Sequence, residues 1–223
     1  MGSGKWTLPR KTWTNRFLLL GLGLVSISIL TSSAFRGRAF SFEPETQKEH
    51  IALLDSTRFA EGDILLRQGN SFISTLIVQA FPSAEGMSHC GVLVRDQGMW
   101  KIIHSISGSI SDSDGIRIEE LPSFISKAHL GNVRHIKPAF QIEPMLLASK
   151  ARYYLKQKSA FDHDFDLSER KRLYCSELIR AVYLDAGAED VFIYKTLAGK
   201  KLVDLSSFFD ALYWREYPGG NEE

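Results

Sequence analysis

Residues 89–106, HCGVLVRDQGMWKIIHSI, hold two runs of alternating polarity around Asp96-Gln97-Gly98, the pattern of a β-hairpin. A period of two places His89, Gly91 and Leu93 on one face of the first strand and Cys90, Val92 and Val94 on the other. On the second strand Trp100, Ile102, His104 and Ile106 share a face. A four-residue loop, Arg95 to Gly98, pairs Val94 with Met99 and sets His89 directly opposite His104, so two imidazoles meet on one sheet surface. A slip of one residue would send them to opposite faces.

Working outward, Glu61-Gly62-Asp63 opens a strand over Ile64 to Arg67, and Glu49 to Phe59 reads as a short helix. Asn70 or Ser71 caps a second helix, whose apolar residues Phe72, Ile73, Leu76, Ile77 and Ala80 share a face until Pro82 stops it. Beyond the hairpin, the stretch from Ser105 to Gly115 is a polar loop bordering any cleft near the histidines, together with the loop before His89. Weaker strands follow at Ile116 to Glu119 and Val133 to Lys137, with a short helix near Phe124 between them. Helices are predicted over Glu143 to Lys158, from the Leu173-Tyr174-Cys175 segment to Gly187, and over Asp204 to Trp214. Helices around an antiparallel hairpin, with no internal repeat, indicate an α+β domain.

The chain has 223 residues, 44% hydrophobic and 24% charged, which excludes a disordered or multi-span protein. Residues 1–38 carry Lys5, Arg10, Lys11, Arg16, Arg36 and Arg38 and no acid, leaving the rest at a net charge of −5. An acidic body lacks the footprint for a phosphate backbone, so no nucleic acid partner is expected. Phe17 to Phe35 is uncharged, follows four basic residues and ends in Thr31-Ser32-Ser33-Ala34, the layout of an export signal or a single-span anchor. Residues 39–217 then form an exported body, periplasmic or otherwise extracytoplasmic, touching the inner membrane only through that segment, and 218–223 form a frayed tail.

Two cysteines are too few for a disulfide scaffold or a four-cysteine zinc site. Cys175 falls at a helix start, where unpaired amides and the positive end of the helix dipole favour a thiolate. If the sheet face bearing His89 packs against that helix start, His89 forms an ion pair with Cys175 and His104 holds the imidazole in one tautomer, the logic of nucleophile, base and orienter. The alternatives are a buried apolar cysteine beside satisfied surface imidazoles, or a zinc site of His89, His104 and Cys175. Cys90, on the opposite strand face, reads as core with no disulfide to Cys175. Asp162, Asp164 and Asp166 lack the glycine and closing glutamate of a calcium loop and read as a polar loop. His50, His129 and His135 have no partner nearby in sequence and no assigned role.

The combination of EGDILL at 61–66, MSHCGVLV at 87–94, KIIHSISG at 101–108 and FDHDFDLSERKRLYCSELI at 161–179 resembles the YaeF/YiiX-type permuted papain-like cysteine hydrolases of the NlpC-type superfamily. The resemblance implies a circularly permuted papain-like fold with Cys175 as nucleophile, His89 as general base and His104 at the third, polar position. YiiX-type members often hold a glutamate at that position, whereas the related lecithin retinol acyltransferase group uses a second histidine. Tyr174 is a further candidate for holding substrate or oxyanion, and no metal or other cofactor is expected. The implied substrate is an amide, such as a cell-wall peptide. A lipid-like ester attacked through a thioester is the alternative, and a non-catalytic zinc- or wall-binding module is a third reading.

Overall fold

The computed structural model describes residues 54–217 apart from 110 and 113. The expected export or anchor segment, the 218–223 tail and most of the helix expected over Glu49 to Phe59 lie outside the described residues; of that helix a 3-10 turn, Ser56–Arg58, is seen.

Six strands form one antiparallel sheet in the order β4-β3-β2-β1-β5-β8. They are β1 (Ile64–Gly69), β2 (His89–Asp96), β3 (Met99–Ile106), β4 (Gly115–Glu120), β5 (Ala128–Pro138) and β8 (Trp214–Tyr217). Among the described residues the helices are α1 (Phe72–Ala80), α2 (Leu121–Ser126), α3 (Pro144–Gln157) and α4 (Cys175–Asp185). Ser71 caps α1 by accepting from the Ser74 amide at 3.1 Å, and Glu143 caps α3 through the Met145 amide.

Both sheet faces are covered, which is why β1 opens on the unbroken apolar run Ile64-Leu65-Leu66. Ile64, Leu66, Cys90, Val92 and Ile103 pack against Leu147 and Ala151 of α3 and Leu178, Ile179 and Val182 of α4. On the other face Leu65, Leu93 and Ile102 pack against Leu121, Phe124 and Ile125 of α2. Each fully buried side chain of this kind contributes roughly 1.5–3 kcal/mol of transfer free energy.

The hairpin register differs from the sequence expectation by two residues. Val92 pairs with Ile103, Val94 with Lys101 and Asp96 with Met99. The connection is the two-residue turn Gln97-Gly98, both at positive φ (50° and 81°), as a type I′ hairpin requires. Because the shift is even, His89 and His104 keep their shared face.

The helix expected over Asp204 to Trp214 is also absent. Tyr194–Leu197 (β6) and Lys200–Val203 (β7) form a separate hairpin, followed by a 3-10 turn at Leu205–Phe209. Asp204 accepts from the Ser206 amide and Asp210 from the Leu212 amide, so local turns take the bonds that a continuous helix needs, and Trp214 starts edge strand β8.

Candidate active site

The row of residues facing α2 carries most of the site. Arg67 of β1 pairs in register with His89 of β2, and His104 of β3 pairs with Arg117 of β4. Gly91 permits the approach of β3: a β-carbon there would lie 2.3 Å from Ile102 Cγ2 and 3.0 Å from His104 Cβ. With the space above Gly91 free, His89 Nε2 and His104 Nδ1 come within 2.8 Å on the diagonal.

Cys175 arrives from the other side. It is the first residue of α4, which packs on the sheet face bearing Cys90 and Val92, not on the face bearing His89. This corrects the expected stacking of the helix start on the histidine face. The β2-to-β3 pairing stops at Val92–Ile103, and beyond it His89 stays with β1 while His104 to Ile106 stay with β4. The strands splay there, and a cavity of about 440 Å³ opens with Cys175 and His89 both in its wall. Ile73 and Ile77 of α1 and Ser107 and Asp112 of the polar loop complete other parts of the lining, as expected for that loop.

The electrostatics around Cys175 favour its thiolate. The Cys90 thiol hydrogen-bonds to it and, with the backbone amides of Cys90, Ser176 and Cys175, outweighs burial and lowers its pKa below the ordinary thiol value. Cys90 itself is pushed well above that value by burial and by Cys175, so it remains a thiol donor. Both cysteines are free, and Cys90 is core as expected, yet it also touches the candidate nucleophile.

Burial, followed by the charge of Arg67, pushes the His89 pKa well below its ordinary value. His104 is completely buried, and burial lowers it to about 4 despite the opposing pull of Glu119. Burial thus disfavours the charged form of both imidazoles in the resting site.

Glu119 is the group that sequence reading missed. Its Oε2 lies 3.1 Å from His104 Nε2, buried and without a well-aligned hydrogen bond, while Oε1 accepts from Ser123 Oγ at 2.6 Å and pairs with Lys127. Burial alone would raise its pKa, but His104, Lys127 and Ser123 together hold the carboxyl well below the usual carboxylate range. An ionised Glu119 favours a proton on His104 Nε2, against which the Arg117 Nε contact at 3.4 Å is long. With His104 in that tautomer its Nδ1 accepts from His89 Nε2, which leaves a lone pair on His89 Nδ1.

Tyr174 does not join the site. Its ring is buried in the core beside α4 and its hydroxyl accepts from the Val203 amide at 2.8 Å, which corrects its expected substrate role. A zinc site of His89, His104 and Cys175 does not fit either: ring nitrogens sharing one tetrahedral zinc sit about 3.3 Å apart, not at hydrogen-bond separation. Among the described residues no three His, Cys, Asp or Glu side chains are grouped to hold a metal ion. Asp162 accepts from the amides of Asp164 and Asp166 and organises its own loop. His135 is buried against Asp63 at 2.7 Å, a structural pair below the strand starts.

Comparison with known proteins agrees with this architecture. The crystal structure of metalloprotein yiiX from Escherichia coli O157:H7 superposes with a TM-score of 0.61 at 21% identity, covering 73% of this chain and 98% of that one, and so shares the fold. Comparison with curated proteins finds no match. The family model described as permuted papain-like amidase enzyme, YaeF/YiiX, C92 family, matches residues 58–207, a span holding the sheet row, the cavity and Cys175. The chain belongs to this family of permuted papain-like amidases and is a thiol hydrolase of that type.

Proposed function

We propose that the protein cleaves an amide bond of a peptide-like substrate with Cys175 as nucleophile and His89 as general base. The observation that carries this reading is the shared cavity wall, which holds a thiol with a lowered pKa at a helix N-terminus and an imidazole whose Nε2 is occupied by His104.

Cys175 Sγ attacks the substrate carbonyl carbon while its proton passes to His89 Nδ1. The amides of Cys175 and Ser176 at the positive end of α4 receive the oxyanion. The carbon–nitrogen bond breaks, His89 returns the proton to the leaving amine, and an acyl-thioester remains on Cys175. Water then attacks the thioester, its proton taken by His89, and the carboxylic acid leaves as the thiol reforms. His104 and Glu119 are positioning residues: they fix the His89 tautomer, and the Glu119 charge favours the imidazolium formed during each attack.

An exported body would meet cell-wall peptides, which fit this chemistry. The test is iodoacetamide alkylation followed by intact mass against pH. Cys175 is expected to label well below the pH at which a free thiol reacts, with the label lost in Cys175→Ala. Labelling only with a free thiol's pH profile overturns the assignment.

A further inference from the structure

Arg67 is a buried cation of the sheet row that the proposed reaction does not use. It ends the apolar run of β1, is only 5% exposed, and stands in register beside His89 in the wall of the cavity that holds Cys175. Its Nη1 donates to the Phe124 carbonyl at 2.6 Å and its guanidinium lies 4.3 Å from the centre of the Phe124 ring. Its Nε is sealed from solvent without a hydrogen-bond partner, and among the described residues Arg67 makes no ion pair.

A buried charge without a contacting counter-ion is costly, and an anionic ligand would offset that cost. One backbone carbonyl and an aromatic face are weak compensation for a guanidinium that offers five N–H donors. The neighbouring wall adds to the imbalance: Arg117 and Lys127 also line the cavity, against the single acid Asp112. Glu119 lies behind that wall, shared among His104, Lys127 and Arg117, and acts on Arg67 only from a distance.

We propose that the substrate carries an anionic oxygen group, a carboxylate or a phosphate, close to the carbonyl that Cys175 attacks, and that Arg67 binds it. The proposal rests on Cys175 being the nucleophile. The planar fork of an arginine suits either oxyanion, and its position beside His89 places the anion on the histidine side of the cavity. Arg67 then selects substrates by charge, and a neutral analogue of the same length binds less well.

The test compares iodoacetate with iodoacetamide as alkylating agents of Cys175. Both transfer their carbon to sulfur with loss of iodide, and they differ by one negative charge. The ratio of the two rates cancels any effect of Arg67 on the thiolate itself, so it reads anion recognition alone. The wild-type protein is expected to prefer iodoacetate over iodoacetamide by about tenfold relative to N-acetylcysteine. Arg67→Gln should lose that preference, and Arg67→Lys, which keeps the charge, should retain part of it. Protection of Cys175 from iodoacetamide by acetate or by inorganic phosphate, in wild type but not in Arg67→Gln, tells which oxyanion the site prefers. A reactive Cys175 with the same rate ratio in wild type and Arg67→Gln overturns the proposal and leaves the hydrolase reading intact. A Cys175 inert to both reagents overturns the two together. Far-ultraviolet circular dichroism of each variant separates loss of recognition from loss of fold, with Arg67→Lys carrying the test if Arg67→Gln unfolds.

Discussion

Glu119→Gln removes one charge from the positioning chain while keeping the volume of the side chain. In the folded protein Glu119 is ionised, 3.1 Å from His104 and one imidazole further from His89. At a separation of roughly 8 Å and an effective dielectric constant of about 20, a carboxylate favours a protonated His89 by about 2 kcal/mol. That is roughly a thirtyfold effect on any step in which His89 takes a proton. The assay is acylation of Cys175 by p-nitrophenyl acetate, with nitrophenolate release giving the rate and intact mass giving the acetyl-enzyme. The variant should acylate about thirtyfold more slowly on the pH plateau. Its acid limb should move to lower pH, because His89 loses an anion that favours its charged form. A purely structural role would lower stability without moving the acid limb. A plateau rate within twofold of wild type and an unmoved limb would refute the relay from Glu119 through His104.

Three further outcomes follow from the same geometry. Gly91→Ala should cost about 1–3 kcal/mol in urea denaturation and slow acylation, because its β-carbon falls 2.3 Å from Ile102 and crowds His104; wild-type stability would show that β3 does not pass so close. Stability should fall with acidification: His104 titrates near 4 when folded and near 6.5 when unfolded, so the unfolded chain binds the extra proton as pH drops through that window. The loss reaches about 3 kcal/mol by pH 4 from His104 alone, with His89 acting in the same direction, and urea melts of wild type and His104→Phe at pH 7 and 4.5 check it. Cys90→Ala should move the alkylation profile of Cys175 to higher pH, since the Cys90 thiol is the leading cause of the lowered pKa, while an unmoved profile would assign that effect to the helix amides.

Much of this site is legible in the sequence, and the gaps have identifiable causes. The period of two along 89–95 and 99–106 sorts His89 and His104 onto one face for any register error that is even. The register itself depends on Gln97 and Gly98 both taking positive φ, and glutamine is not a residue that announces it. Cys175 is readable because the charged run before it gives way to helical spacing at Leu178, Ile179 and Val182. Glu119 hides in a strand whose polar alternation, Arg117 and Glu119, looks like an ordinary solvated face until α2 covers it. Arg67 hides at the end of an apolar strand, although an arginine following Ile-Leu-Leu carries a hint of a buried charge. Tyr174 misleads because proximity to Cys175 in sequence says nothing about direction: at the residue before a helix the ring turns into the core. The Asp204 to Trp214 segment has helical apolar spacing, but its aspartates cap local turns instead.

In the proposed reaction Cys175 forms a covalent acyl intermediate with help from His89. Quenching the reaction with p-nitrophenyl acetate in acid and mapping the peptides tests it most directly. One acetyl group is expected on Cys175, none on Cys90 and none in Cys175→Ala, with formation slowed on the order of 10²–10⁴-fold in His89→Ala. Acylation at another residue, or an unchanged rate in His89→Ala, would contradict it.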